Sequence, residues 1–120
     1  MYKRRDFKVK VSKELLKGST DLLVLTLIEK EPMYGYQMIK ELSKKSENVF
    51  NLQEGTLYPI LHTLEEKNYI SSYWDETGSK KRKYYIITKE GKKHLKDKKE
   101  EWKTYRDGVT NVLGGVLFGY

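Results

Sequence analysis

The chain is expected to fold as a mainly α (α+β) protein, a winged helix-turn-helix followed by a C-terminal helix. Apolar residues recur at helical spacing in three successive segments before residue 68. The period then shifts to that of strands in two aromatic and β-branched runs joined by a turn, and one long helical segment closes the sequence. Three helices, a hairpin and a helix form the element order of a winged helix, in which the third helix suits the major groove and the hairpin suits phosphates.

Residues 1–11 are basic and aperiodic and read as a flexible arm; Ser12 can then cap the first helix. From Leu15 to Ile28 the leucines are dense enough for one helix buried on more than one side, and Pro32 ends it because the residue before a proline disfavours helix. Tyr34 to Lys45 places Met38, Ile39 and Leu42 on one face of a second, shorter helix. In the third helix Asn51 is placed to cap the first turn with Glu54 reaching back, while Leu57, Ile60, Leu61 and Leu64 form the buried stripe. Pro59 breaks the hydrogen-bond ladder one turn after Gly55, which is placed to absorb the strain, and Asn68 can take the left-handed cap. Tyr69 to Trp74 and Arg82 to Thr88 make the hairpin, with turn residues over 75–81. Thr88 caps a final helix of about Lys89 to Leu113, stopped by Gly114 and Gly115. The chain thus divides into a 1–11 arm, a 12–88 winged-helix DNA-binding domain, an 89–115 dimerisation helix and an apolar tail, 116–120, whose role is not legible.

A chain of 120 residues suits one domain, small enough that an extra helix needs a partner to cover it. The 24 Lys and Arg against 17 Asp and Glu leave a formal charge of +7 and a pI near 9.4, which favours a polyanionic partner. The absence of cysteine rules out disulfides, thiolate metal sites and a cysteine nucleophile. Only two histidines occur, far apart, so neither metal nor cofactor is expected; His94, among lysines, is assigned no role. No Ser/His/Asp set, carboxylate pair or Gly-rich phosphate loop can be assembled, so the chain does not read as an enzyme. No run approaches the roughly 20 apolar residues of a membrane span, and the expected location is the cytoplasm.

The third helix carries the strongest functional signal. Its outward face holds Thr56, Tyr58, Pro59 and His62, short polar and aromatic groups suited to base edges and phosphates. Tyr34, Gly35, Gln37 and Lys40 open the second helix, where backbone N–H groups suit a phosphate, whereas Tyr36 reads as an aromatic at the core edge. Lys80, Lys81, Arg82 and Lys83 on the hairpin tip and returning strand are expected to neutralise phosphates without reading sequence. On the final helix Leu95, Trp102 and Val109 lie at intervals of seven, joined by Tyr105 and Val112. That seam is expected to pack on the first helix of a second copy at Leu15, Leu16, Leu22 and Leu23, giving a homodimer. A winged-helix protein-interaction module acting without sequence-specific DNA binding is the alternative.

Four motifs together resemble the PadR family of transcriptional regulators: Tyr34-Gly-Tyr, Gly55-Thr-Leu-Tyr-Pro-Ile-Leu, Leu64-Glu-Glu-Lys-Asn-Tyr-Ile70 and Arg82-Lys-Tyr-Tyr-Ile-Ile-Thr-Lys-Glu-Gly91. The short single C-terminal helix resembles the small, LmrR-like branch. The resemblance implies a homodimeric repressor on double-stranded operator DNA, released by a small effector. It also implies that Trp102 stacks on a planar aromatic ligand in a pore at the dimer centre, lined by Leu15, Ser19 and Leu22. Lys99 and Arg106 flank Trp102, and Arg106 stands where that branch has an acidic residue, so the expected effector is neutral or anionic, such as a phenolic acid.

Overall fold

The computed structural model describes residues 9–115; the first eight residues of the arm and the whole 116–120 tail lie outside the described residues. In chain order the elements are α1 (Lys13–Lys17), α2 (Thr20–Lys30), β1 (Met33–Tyr34), α3 (Gly35–Lys45), α4 (Glu54–Glu66), β2 (Ile70–Asp75), β3 (Arg82–Ile87) and α5 (Lys89–Val112). Helices α2, α3 and α4 surround the core against one face of a three-stranded antiparallel sheet of order β1-β3-β2. That is the winged-helix arrangement, with α3 and α4 as the helix-turn-helix and β2-β3 as the wing.

The single helix expected from Leu15 to Ile28 is two helices. Ser19 directs both its backbone N–H and its hydroxyl at the Leu16 carbonyl, at 2.9 and 3.0 Å, and the Thr20 hydroxyl donates to the Lys17 carbonyl at 3.2 Å. These short side chains take acceptors that a continuous helix would use, and the chain turns at Gly18. Ser12 caps α1 as expected, accepting from the Leu15 N–H at 3.2 Å. After Lys30 the backbone becomes extended at Glu31, immediately before Pro32. Strand β1 is too short to show a period and escaped the sequence reading; it pairs Met33 with Tyr85 and Tyr34 with Tyr84.

The capping box proposed for α4 is absent. Gln53 is the N-cap residue and caps with no side chain, because Asn51 is engaged in the turn behind it. Its amide nitrogen donates to the Asn48 carbonyl at 2.6 Å, and its amide oxygen lies 2.8 Å from the Ser43 hydroxyl. Glu47 and Asn48 hold left-handed backbone in that turn, with φ of 54° and 70°. Asn68, at φ 64°, ends α4 as its sequence suggested, with the Tyr69 N–H reaching the Leu64 carbonyl at 3.0 Å. Pro59 lies inside α4, which runs unbroken past it, and a Cβ on Gly55 would meet nothing within 4 Å.

Val24, Leu25 and Ile28 from α2, Met38 and Leu42 from α3, Leu57, Leu61 and Leu64 from α4, Ile70 and Tyr85 from the sheet, and Leu95 from α5 make one buried cluster. Full burial of each aliphatic member is worth about 2 kcal/mol. Leu95, placed at a dimer seam by its spacing, is 1 % exposed within its own chain and has no surface left for a partner. Leu16, Leu22 and Leu23 also pack on this cluster, half-buried.

The junction into α5 is tight. Thr88 caps the helix by accepting from the Gly91 N–H at 2.9 Å, its hydroxyl donates to the Asn68 carbonyl at 2.7 Å, and its own N–H reaches the Tyr69 carbonyl at 3.1 Å. His94, left without a role by the sequence, stacks on Tyr69 with ring centres 4.1 Å apart, its Nε2 3.3 Å from the Asp21 carboxylate of α2. Beyond this junction α5 leaves the body: from residue 99 to 113 every side chain except Thr110 is exposed.

At the wing tip the Thr77 hydroxyl and N–H both donate to Asp75, at 2.7 and 2.9 Å, and hold its carboxyl below the usual aspartate range. Because the folded value lies below the unfolded one, this turn contributes stability above the ordinary aspartate range and loses it as pH falls through the folded value. Following the Thr77 amide by NMR should therefore give an acid midpoint below that of a free aspartate; an unshifted midpoint would show that the turn does not hold the carboxylate.

Candidate nucleic-acid interface

On α4 the apolar stripe turns inward and leaves Thr56, Tyr58, Pro59, His62 and Thr63 exposed together. The Tyr58 ring lies over the start of α3: a Cβ on Gly35 would overlap its hydroxyl, so a side chain there would displace the ring. Burial, and then the Glu54 carboxylate, pushes the Tyr58 pKa up. Tyr85, buried beneath the wing, is raised by burial and then by Glu65 and Tyr58. His62 lies 3.3 Å from the Glu66 carboxylate one turn on.

Tyr34 is the N-cap residue of α3, so the free N–H groups of that helix open beside it. The Arg82 guanidinium sits 4.6 Å above the Tyr34 ring, and the same ring meets Tyr84 edge-on at 5.4 Å. Two pairs drawn from four elements thus flank the start of α3: Tyr58 of α4 against Gly35, and Arg82 of β3 over Tyr34 on the outer face of the sheet. Gln37 is half-buried and Lys40 exposed on the same helix. Tyr36 is not at the core edge: it is 53 % exposed, with the Lys40 ammonium 5.5 Å from its ring.

The four wing cations diverge. Strand alternation sends Arg82 to the outer face with Tyr84, and Lys83 to the core face with Tyr85, whose ring lies 5.6 Å from its ammonium. Lys80 and Lys81 stand on the exposed turn, Lys81 3.6 Å from Glu76 and 4.9 Å from the Trp74 ring centre. Lys80 and Lys81 thus stand at the tip, while Arg82 and Lys83 open the returning strand and face opposite ways.

The residues assigned to an effector do not come together within one chain. Helices α2 and α5 run side by side, joined at Asp21–His94 and again at Glu29–Lys99, where the charged atoms lie 3.5 Å apart. Trp102 therefore stands about 12 Å along α5 from His94, beyond the far end of α2 from Ser19 and Leu22. Leu15 is 65 % exposed on α1 and Trp102 45 % exposed on α5. Lys99 is engaged by Glu29, and Arg106 by Asp107 at 3.1 Å, so neither is an unpaired cation beside Trp102. Among the described residues no group of three His, Cys, Asp or Glu could hold a metal, and no helix is long and apolar enough to cross a membrane.

The model of the transcriptional regulator PadR-like family matches residues 24–97. The chain belongs to the PadR-like family. The matched span runs from the core of α2 through the wing and stops where α5 leaves the body. A transcriptional regulator from Clostridium thermocellum superposes with a TM-score of 0.78 at 34 % identity, covering 82 % of this chain and 97 % of its own. A PadR family transcriptional regulator from Eggerthella lenta gives 0.75 at 38 % identity, over 84 % of this chain and 87 % of its own. The uncharacterized protein X of Lysinibacillus sphaericus is 34 % identical over 107 residues, 88 % of this chain and 98 % of that one. The PadR-like chain is accordingly a DNA-binding transcriptional regulator and not an enzyme.

Proposed function

We propose that this PadR-like protein is a homodimeric repressor of the small, LmrR-like branch, acting in the cytoplasm, which reads operator DNA with α4 and grips phosphates with α3 and the wing. The observation that carries this reading is the exposed face of α4, Thr56, Tyr58, Pro59, His62 and Thr63, set beside the N-terminus of α3 where the Tyr58 ring closes on Gly35. Thr56, Tyr58, Pro59 and His62 face the groove; the N–H groups of α3, with Gln37, Lys40 and Arg82, take phosphates, and Lys80, Lys81 and Lys83 add charge. Homodimerisation is supported by the bare end of α5, where Trp102, Tyr105, Val109 and Val112 are exposed. A planar aromatic effector would need two chains, Trp102 of one meeting the Leu15, Ser19 and Leu22 region of the other. With Lys99 and Arg106 already paired, a neutral planar ligand fits better than an aromatic acid.

The deciding experiment is fluorescence anisotropy of the DNA upstream of this protein's own gene against a scrambled duplex, across a salt series. Preference for the native fragment at physiological salt supports a sequence-specific, autoregulatory repressor; equal, salt-sensitive binding to both overturns it. On a preferred fragment, Tyr58→Ala is expected to weaken operator binding about tenfold more than random-DNA binding. The double variant Lys80→Ala, Lys81→Ala should weaken both and lower the salt slope by about 2. Equal losses on both duplexes for Tyr58→Ala would remove it from the reading set.

A further inference from the structure

We propose that Trp74 is a minor-groove contact of the wing and gives this protein a preference for A·T base pairs beside the sequence read by α4. The proposal rests on the DNA-binding reading above and concerns a residue that reading leaves unused. Opposed residues across β2 and β3 are Ile70 with Ile87, Ser72 with Tyr85, and Trp74 with Lys83. Strand alternation therefore puts Trp74 on the core face of the sheet, the face toward α4, and not on the outer face with Tyr34, Tyr73 and Tyr84. Deeper on that face Ile70 is 1 % and Tyr85 5 % exposed, and the Ser72 hydroxyl donates to Glu65 of α4 at 2.7 Å. Trp74, next outward, passes beyond this cover and is 56 % exposed. It is an indole on the α4 side of the wing, held between Lys81 above its ring and Lys83 opposite on β3.

The occupant that fits is duplex DNA. The wall of the minor groove offers apolar deoxyribose flanked by phosphates, matching a ring set between Lys81 and Lys83, and the surface is continuous with α4 through Ser72 and Glu65. A phosphate arriving there replaces Glu76 as the partner of Lys81. The indole has one donor and no acceptor, so its Nε1–H suits the adenine N3 and thymine O2 acceptors of the groove floor, while the guanine amino group opposes it.

The test compares wild type, Trp74→Phe and Trp74→Ala on the operator fragment and on duplexes differing only in A·T or G·C pairs just outside the α4 footprint. Labelled-DNA anisotropy gives affinity, and the difference in intrinsic emission between wild type and Trp74→Phe isolates Trp74. We expect the Trp74 emission to be quenched on binding and Trp74→Ala to lose about tenfold on A·T-flanked DNA with an unchanged salt slope. Trp74→Phe should keep most affinity and lose the A·T preference. Thermal melts of both variants separate a contact from a damaged wing. Operator binding with unchanged Trp74 emission and wild-type behaviour of both variants would overturn the proposal while leaving the repressor reading intact. A Trp74 response to phosphatidylglycerol vesicles but not to duplex would assign the ring to a lipid surface instead, and failure of every duplex to bind specifically would remove both readings together.

Discussion

Replacing Gly91 by Ala is expected to lower the stability of this protein by about 3 kcal/mol, roughly 10 °C in melting temperature. The added Cβ would overlap the backbone carbonyl oxygen of Tyr69 and come within 2.8 Å of the Ile87 Cγ1. That carbonyl cannot swing aside, because it accepts the Thr88 N–H at 3.1 Å, and the neighbouring Asn68 carbonyl accepts the Thr88 hydroxyl at 2.7 Å. Either α5 lifts away from the sheet, exposing Leu95 and separating His94 from Asp21 and Tyr69, or the end of α4 shifts. Gly18→Ala is the control, since a Cβ there meets nothing within 4 Å and its backbone is right-handed helical. Circular dichroism melts of the two variants check the contrast; a Gly91→Ala melt within about 2 °C of wild type would show that the junction yields freely.

Charging the exposed end of α5 should have an equally large effect on DNA binding. The double variant Tyr105→Asp, Val109→Asp is expected to give a monomer at micromolar concentration and to lose about a hundredfold or more in operator affinity, because two linked half-site contacts become independent. Tyr105 is 58 % and Val109 39 % exposed, and neither belongs to the core cluster, so the protomer should stay folded. Val112 and Leu113 extend the same apolar surface, and Gly108 leaves a shallow depression between Tyr105 and Val112. Sedimentation equilibrium reads the first effect and anisotropy the second. A wild-type monomer, or a charged variant that still dimerises, would show that this face is not the interface.

Much of this architecture was legible because it rests on local chemistry. The leucine stripe of α4, the Thr88 cap, the left-handed Asn68 and the alternation of Tyr84 to Ile87 each follow from side chains a few residues apart. The break between α1 and α2 was readable in principle from Gly18-Ser19-Thr20, and the density of leucines masked it. The capping box misled because Asn51 had a better partner eight residues back, in Ser43, than at the helix it precedes.

The sequence by itself determined the order and type of the main elements, the exposed face of α4 and the basic balance, since periodicity, capping and charge act over a few residues. Tertiary structure alone decided that Leu95 belongs to the protomer core, that His94 ties α5 to α2, and that Gly35 and Gly91 are points of close contact. Each of these depends on which surfaces meet across distant parts of the chain. The same heptad spacing serves a partner's helix or the chain's own sheet, and only packing chooses between them.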